Sequence, residues 1–306
     1  STVLPGTTED ILIPILEKES GRKVGKDLGV VVNPEFLREG KALSDFSNPS
    51  RVIIGEIDSV SAEKVTELHK NVLAPIIRVN ARTAEMIKCA SNAALATRVS
   101  LVNEIGNICK LLGIDIYEVA NAVGLDERIG PHFFQAGIGF GGSCFPKDVR
   151  GLISKARVYG YEPTLLESVI TVNENQPIRL VKLAESKVGN LKGKKVAVLG
   201  LAFKPGTDDM REAPSLKVIQ ELLKRGCSVV AWDPIAESNA ASLLGDTVTL
   251  TQTVEQALID AELVFIVTEY DELKRPSIYN NKTVFDGRRV LDPNNVSNCN
   301  YEGICW

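Results

Sequence analysis

Cys144 lies in the run AGIGFGGSCFPKD, residues 136–148, just before a segment in which Pro146 suits the first turn of a helix. A cysteine at a helix N-terminus beside Lys147 has the setting that favours a thiolate, the form that attacks carbon. Gly137, Gly139, Gly141 and Gly142 let the backbone come close to a ligand. A thiolate here serves one of two chemistries. One is a Cys/His hydrolase, for which His132 is the histidine nearest in sequence. The other is capture of a carbonyl generated in the site by oxidation.

Other stretches carry further chemistry. In VAVLGLAFKPGTDDMREAPS, residues 196–215, a strand runs into a loop with Gly200, Lys204, Gly206 and Arg211 before a helix opens near Pro214. An open parallel sheet binds phosphates at such a place. The loop does not read G-x-G-x-x-G, so the dinucleotide signal is weak. Asp233 closes a later strand and suits either a ribose contact or a turn. Arg288 and Arg289 in FDGRR suit either added positive charge at the same sheet edge or a solvated turn. In NPEFLREGKAL, residues 33–43, Glu35 and Glu39 would share one face if the segment were helical. They would then suit acid–base work, or else ion pairing with Arg38 and Lys41. Lys88 and Asn92 share one face of a predicted helix, and that lysine is either functional or snorkels to solvent.

The elements that must hold these residues follow from periodicity. Strand-like and helix-like stretches alternate over residues 1–80: a helix near 9–19, strands at 29–32, 52–54 and 76–79, and a helix near 62–70. Helical spacing then predicts one long helix over 82–112, whose middle, CASNAALA, is rich in small residues that permit close packing or a dimer contact. Helices follow at 116–123, 147–159 and 165–188. After LKGKK the pattern predicts strands at 196–199, 228–232, 263–267 and 283–285, with helices at 215–225 and 254–259. That is a second parallel α/β region.

The 306 residues suffice for two or three domains, and 44% hydrophobic against 24% charged residues exclude a disordered chain. A net charge of −4 offers no global attraction for nucleic acid or an anionic membrane, so an anionic ligand needs a local basic pocket. Six scattered cysteines without a C-x-x-C pair, and only two histidines, argue against structural zinc and for reduced thiols in the cytoplasm. No apolar run reaches the length of a membrane span, and no signal peptide is evident.

The blocks STVLPGTT, NPEFLREGKAL, EMIKCASNAAL, DERIG, GFGGSCFPKD, GLAFKPGTDDMRE, FDGRR and EGICW occur in order, and with them the chain resembles the UDP-glucose/GDP-mannose dehydrogenase family over nearly its whole length. The resemblance implies two successive NAD-dependent oxidations of a sugar C6 alcohol to a carboxylate through a cysteine thioester. It casts Cys144 as the nucleophile, Lys88 as the cation that stabilises the developing oxyanion, and Asn92 as a holder of the sugar. Asp148 would orient a water with Thr2, and Glu35 or Glu39 would serve thioester hydrolysis. The substrate would be held by Phe36, Leu37, Phe140, Gly141, Phe203, Lys204 and Arg288, with Arg128 entering across a dimer interface. Thr2, Glu39, Lys147 and Arg211 would meet NAD, and no metal is implied.

The expected architecture is α/β. A partial Rossmann-like domain at 1–80 precedes a central helical dimerisation domain at 81–190 and a Rossmann-like nucleotide-sugar domain at 191–306. The family's G-x-G-x-x-G after the first strand is missing, because the chain opens late in that domain. Residues 1–306 alone are therefore expected to bind NAD poorly and to leave a sheet edge unpaired. Either the chain is a fragment of a complete enzyme, or it is a truncated homologue that holds a nucleotide sugar without oxidising it. DERIG resembles UDP-glucose enzymes more than GDP-mannose ones, whereas EGICW and STVLPGT are also similar to the GDP-mannose branch, which stays the alternative; GGSC argues against the UDP-N-acetylmannosamine branch.

Overall fold

The computed structural model describes residues 2–306. Two compact units form, one from the chain up to Ala94 together with Asp148–Glu162, the other from Leu95–Lys147 together with Pro163–Trp306.

In the first unit a π-helical turn, Thr8–Leu12, runs into α1 (Ile13–Ser20). It is followed by β1 (Val31–Val32), α2 (Ala42–Ser47), β2 (Val52–Glu56), α3 (Ser59–Leu68) and β3 (Ile76–Asn80). The long helix α4 (Ala81–Leu112) begins here. The sheet has the order β1-β2-β3, with β1 antiparallel to β2 and β2 parallel to β3. Small residues let α4 lie close to this sheet. A Cβ on Gly55 would come within 2.5 Å of the Ala84 Cβ and 3.1 Å of the Ala81 Cα.

In the second unit the rest of α4 is followed by α5 (Ile116–Gly124) and by α6 (Phe145–Val158), whose residues from Asp148 on belong to the first unit. Next come α7 (Thr164–Val188), β4 (Lys195–Leu199), α8 (Pro214–Lys224), β5 (Ser228–Trp232) and α9 (Glu237–Leu244). The remaining elements are β6 (Thr249–Leu250), α10 (Val254–Leu258), β7 (Leu263–Ile266), β8 (Thr283–Asp286) and β9 (Asn300–Gly303). All six strands are parallel in the order β6-β5-β4-β7-β8-β9, the doubly wound order that reverses between β4 and β7. The α/β class with Rossmann-like parallel strands is therefore present. The near-continuous apolar strands 196–199, 263–266 and 284–285 are buried on both faces, as parallel strands covered by helices must be.

Local expectations are refined. The strand expected from Gly29 is only Val31–Val32. Residues 33–41 are the loop expected after that strand and not a helix, so the condition under which Glu35 and Glu39 would share a face is not met. Instead the Glu35 carboxylate accepts from the Leu37 N–H at 2.6 Å and holds an extended turn after Pro34. α2, α9, β6 and β9 carry too little periodicity to have been expected.

Gly200, after β4, has φ 89°, and a Cβ there would lie 2.4 Å from the Thr268 Cβ and 2.6 Å from its backbone nitrogen. Gly200→Ala should therefore cost roughly 2–4 kcal/mol through overpacking and a left-handed backbone. Urea unfolding should show the midpoint fall, and an unchanged midpoint would contradict this packing.

Candidate functional site

A cleft of the second unit, of about 450 Å³, opens at the carboxyl ends of β4, β7 and β8, where the strand order reverses. It gathers Phe140 and Gly141 from the glycine loop, Phe203 and Lys204 from the loop after β4, and Arg288 from the turn after β8. These five residues were expected from sequence to hold substrate. Tyr117, Phe133, Phe145 and Arg289 line it too. Aromatic walls with a few converging cations suit an anionic ligand that has a planar ring.

Loops make the cleft, and buried side chains take their backbone hydrogen bonds. Asn173 of α7 accepts from the Phe140 N–H at 2.7 Å and donates to the Phe140 carbonyl at 3.0 Å. Asn103 of α4 accepts from the Gly137 N–H at 2.8 Å, and Gln176 donates to the Gly137 carbonyl at 2.8 Å. Glycine is required here because a Cβ on Gly137 would meet the Gly287 carbonyl at 2.6 Å. Asp233 accepts from the N–H groups of Leu201, Ala202, Ile235 and Ala236 and from the Tyr270 hydroxyl. Its role is to hold the loop before Phe203, and the ribose reading of Asp233 has no support. Asp286 is fully buried and accepts from the N–H groups of Arg288 at 2.8 Å and Leu291 at 3.0 Å. Burial pushes its carboxyl up, against the donors that favour the charged form.

Cys144 directly precedes α6, as expected, with its Sγ 3.7 Å from the Ser143 Oγ. It is the exposed cysteine, the other five being buried or half-buried. Among the described residues no hydrogen bond joins His132 to Cys144, so the Cys/His hydrolase reading gains no geometric support. Lys147 is exposed in the first turn of α6. Arg211 turns its guanidinium onto Asp209 at 2.9 Å, while its carbonyl accepts from the Gly142 N–H at 2.8 Å. It touches the glycine loop by its backbone. Arg128 lies outside the cleft, paired with Asp126 and 88% exposed, on the rim of an apolar groove of about 360 Å³ between α4 and α5.

The first unit carries a polar cluster. Lys88, 4% exposed, donates to the Glu35 Oε1 at 3.2 Å and lies 5.4 Å from the centre of the Phe36 ring. One turn on, Asn92 donates to the Asp148 Oδ2 at 2.6 Å, both residues being buried. This brings together four of the residues expected to be catalytic. Leu37 and Phe36 line a neighbouring hollow, Glu39 sits in an exposed turn, and Thr2 is half-buried in the opening segment.

In the first unit the Glu85 carboxylate accepts from the N–H groups of Gly6 and Thr8, where the first helix begins. The Asp58 carboxylate caps α3 through the Ser61 N–H. Among the described residues no cluster of side chains could hold a metal ion, and no helix is long and apolar enough to cross a membrane.

Sequence reading passed over Tyr117, Asn103, Asn173 and Gln176. The last two had a signal in the polar run NENQ at 173–176, inside an otherwise apolar helix pattern.

Comparison with known proteins matches three family models. Residues 1–73 match the NAD binding domain of the UDP-glucose/GDP-mannose dehydrogenase family, 82–175 its central domain and 197–293 its UDP binding domain. A UDP-glucose 6-dehydrogenase of Haloferax volcanii is 42% identical over 95% of this chain, which covers 69% of that protein. One from Bacillus subtilis is 43% identical over 97% of this chain and is covered to 64%. The structure of a UDP-glucose dehydrogenase from Pyrobaculum islandicum superposes with a TM-score of 0.94 at 44% identity, over all of this chain and 69% of that one. The chain thus spans about two thirds of the length of these relatives.

Asn173→Ala leaves the two buried backbone groups of Phe140 without partners and should cost about 1–3 kcal/mol. It should also make residues 136–142 a site of limited proteolysis. Unchanged stability and an uncut loop would show that Asn173 does not hold the glycine loop.

Proposed function

Because this chain belongs to the UDP-glucose/GDP-mannose dehydrogenase family, an oxidoreductase family whose cofactor is NAD, we propose that it serves the NAD-dependent two-step oxidation of UDP-glucose to UDP-glucuronate through a thioester on Cys144. The cleft that gathers Phe140, Gly141, Phe203, Lys204 and Arg288 carries this reading. Lys204 and Arg288 meet the diphosphate there, and the aromatic residues enclose the remainder of the nucleotide sugar. Cys144, exposed at the start of α6, is the nucleophile that captures the aldehyde.

In the first unit we assign proton handling to the Lys88, Glu35, Asn92 and Asp148 cluster. Lys88 is a fixed cation suited to a developing oxyanion. Asp148, oriented by Asn92, is suited to hold a water. Glu35, bound to Lys88, is assigned to hydrolysis ahead of Glu39 on that contact. Thr2, Phe36 and Leu37 keep the substrate-side roles that the family resemblance gives them, and Lys147, Arg211 and Glu39 the cofactor-side ones. We also keep the three-domain division at about residues 80 and 190. A homodimer across the α4–α5 groove, with Arg128 on its rim, fits that groove's apolar lining. The free thiols fit a cytoplasmic setting. DERIG favours UDP-glucose over GDP-mannose.

One observation favours a second reading. The nucleotide-sugar cleft is lined wholly by residues of the second unit, which also suits a chain that binds a nucleotide sugar without turning it over.

Calorimetry with UDP-glucose and GDP-mannose, followed by NADH formation at 340 nm, separates these readings. UDP-glucose should bind to a species of twice the chain mass by light scattering. Lys204→Ala and Arg288→Ala should each weaken binding about tenfold or more, as loss of a charge-assisted contact does. Cys144→Ala should bind normally and form no acid. Two NADH per sugar supports the enzyme reading, and binding without NADH supports the second. Absence of binding to either sugar nucleotide would sink both.

A further inference from the structure

Arg289 is held quite unlike its neighbour Arg288. Its backbone is left-handed, with φ 55°, a conformation that costs a side-chain-bearing residue about 1 kcal/mol or more. Three partners offset that cost. The Nη1 donates to the Asp115 Oδ2 at 2.6 Å. The guanidinium carbon lies 4.7 Å from the centre of the Tyr117 ring and 5.4 Å from that of Trp306, the last residue of the chain. Those two rings meet edge to face at 5.5 Å.

Each partner is tied down in turn. Asp115 caps α5 by accepting from the Tyr117 N–H at 2.8 Å. The Tyr117 hydroxyl donates to the carbonyl of Ala136, where the glycine loop begins, at 2.8 Å. The Trp306 indole N–H donates to the Tyr301 hydroxyl at 2.8 Å, and the Trp306 carbonyl accepts from the Lys110 ammonium at 2.7 Å. Tyr301 in turn reaches the Asp286 Oδ2 at 3.1 Å, on the carboxylate that sets the arginine turn. A closed circuit of contacts therefore joins the arginine turn, the end of the chain and the glycine loop. Arg289 and Tyr117, with Ala136 and Arg288, line the cleft.

We propose that Arg289 is a positioning residue for nucleoside-diphosphate binding, acting through the Tyr117–Arg289–Trp306 stack, which keeps the glycine loop and the arginine turn in register. A planar guanidinium between two rings does this where an ammonium cannot. The inference rests on the reading of this cleft as a nucleotide-sugar site and adds the residues that hold its two walls together.

The chain has two tryptophans, so Trp232→Phe leaves Trp306 as the only indole reporter. In that background, titration with UDP should change Trp306 emission and give the affinity. Arg289→Gln should shift the unliganded emission to the red and weaken UDP binding about tenfold, equivalent to ~1.4 kcal/mol. Arg289→Lys keeps the charge and should rescue less than half of that loss on a logarithmic scale. Asp115→Asn, which keeps the cap acceptor and lies outside the cleft, should weaken binding several-fold and provides the answer if the Arg289 variants do not fold. If the parent binds UDP but Asp115→Asn and any folded Arg289 variant bind it equally well, the proposal is overturned while the nucleotide reading stands. Full rescue by Arg289→Lys overturns it as well, since charge alone would then suffice. Failure of the parent to bind UDP overturns the nucleotide reading and this inference together.

Discussion

The Asp286 carboxylate decides where the positive charge of the cleft sits. It is fully buried at the end of β8 and accepts the N–H groups of Arg288 and Leu291. The turn between them must therefore present both arginines at the sheet's carboxyl edge. An unpaired carboxylate in that position would be costly, so the surrounding donors are as necessary to the fold as the carboxylate is to the turn. Asp233 does the same for the loop that carries Phe203 and Lys204, as Asn173, Asn103 and Gln176 do for the glycine loop. The doubly wound sheet supplies the edge, and these side chains convert three loops into fixed walls.

The consequence for function is preorganisation. Loops fixed before a ligand arrives lose little entropy on binding, so the interactions with a ligand's charge would appear as affinity. The same argument explains the density of glycine around the cleft. Gly137 and Gly200 stand where neighbouring segments come too close for a Cβ, so each marks a contact between two loops at the sheet's carboxyl edge. In the first unit the order is electrostatic: a nearly buried lysine lies beside one carboxylate, and a buried asparagine is bonded to another. That arrangement suits proton and oxyanion chemistry better than it suits binding of a phosphate chain.

Much of this was legible in the residues. Strands β4, β5, β7 and β8 are short runs with apolar centres, and the long helix has unbroken helical spacing, so both could be placed from pattern alone. Cys144, Lys204 and Arg288 stood in loops whose composition pointed to chemistry. What could not be read were interactions between distant parts of the chain. Asn173 lies 33 residues from the backbone it holds, and Arg289 lies 174 from Asp115. Nothing local reports such pairings. Glu35 and Glu39 left two readings open for a related reason. Their four-residue spacing suits a helix, but Pro34 and the Glu35–Leu37 bond favour the turn. The weak elements β6, β9 and α9 gain their shape from the sheet they join, so their own periodicity is faint.

The account stands on the second unit's cleft being a nucleotide site whose three loops are built in advance. Hydrogen–deuterium exchange of the whole chain with and without UDP tests that most directly. The account predicts slow exchange at 136–142, 201–206 and 286–291 before ligand is added, with further protection confined to those three segments once UDP is present. Fast exchange there in the free protein, or protection by UDP elsewhere, would contradict it.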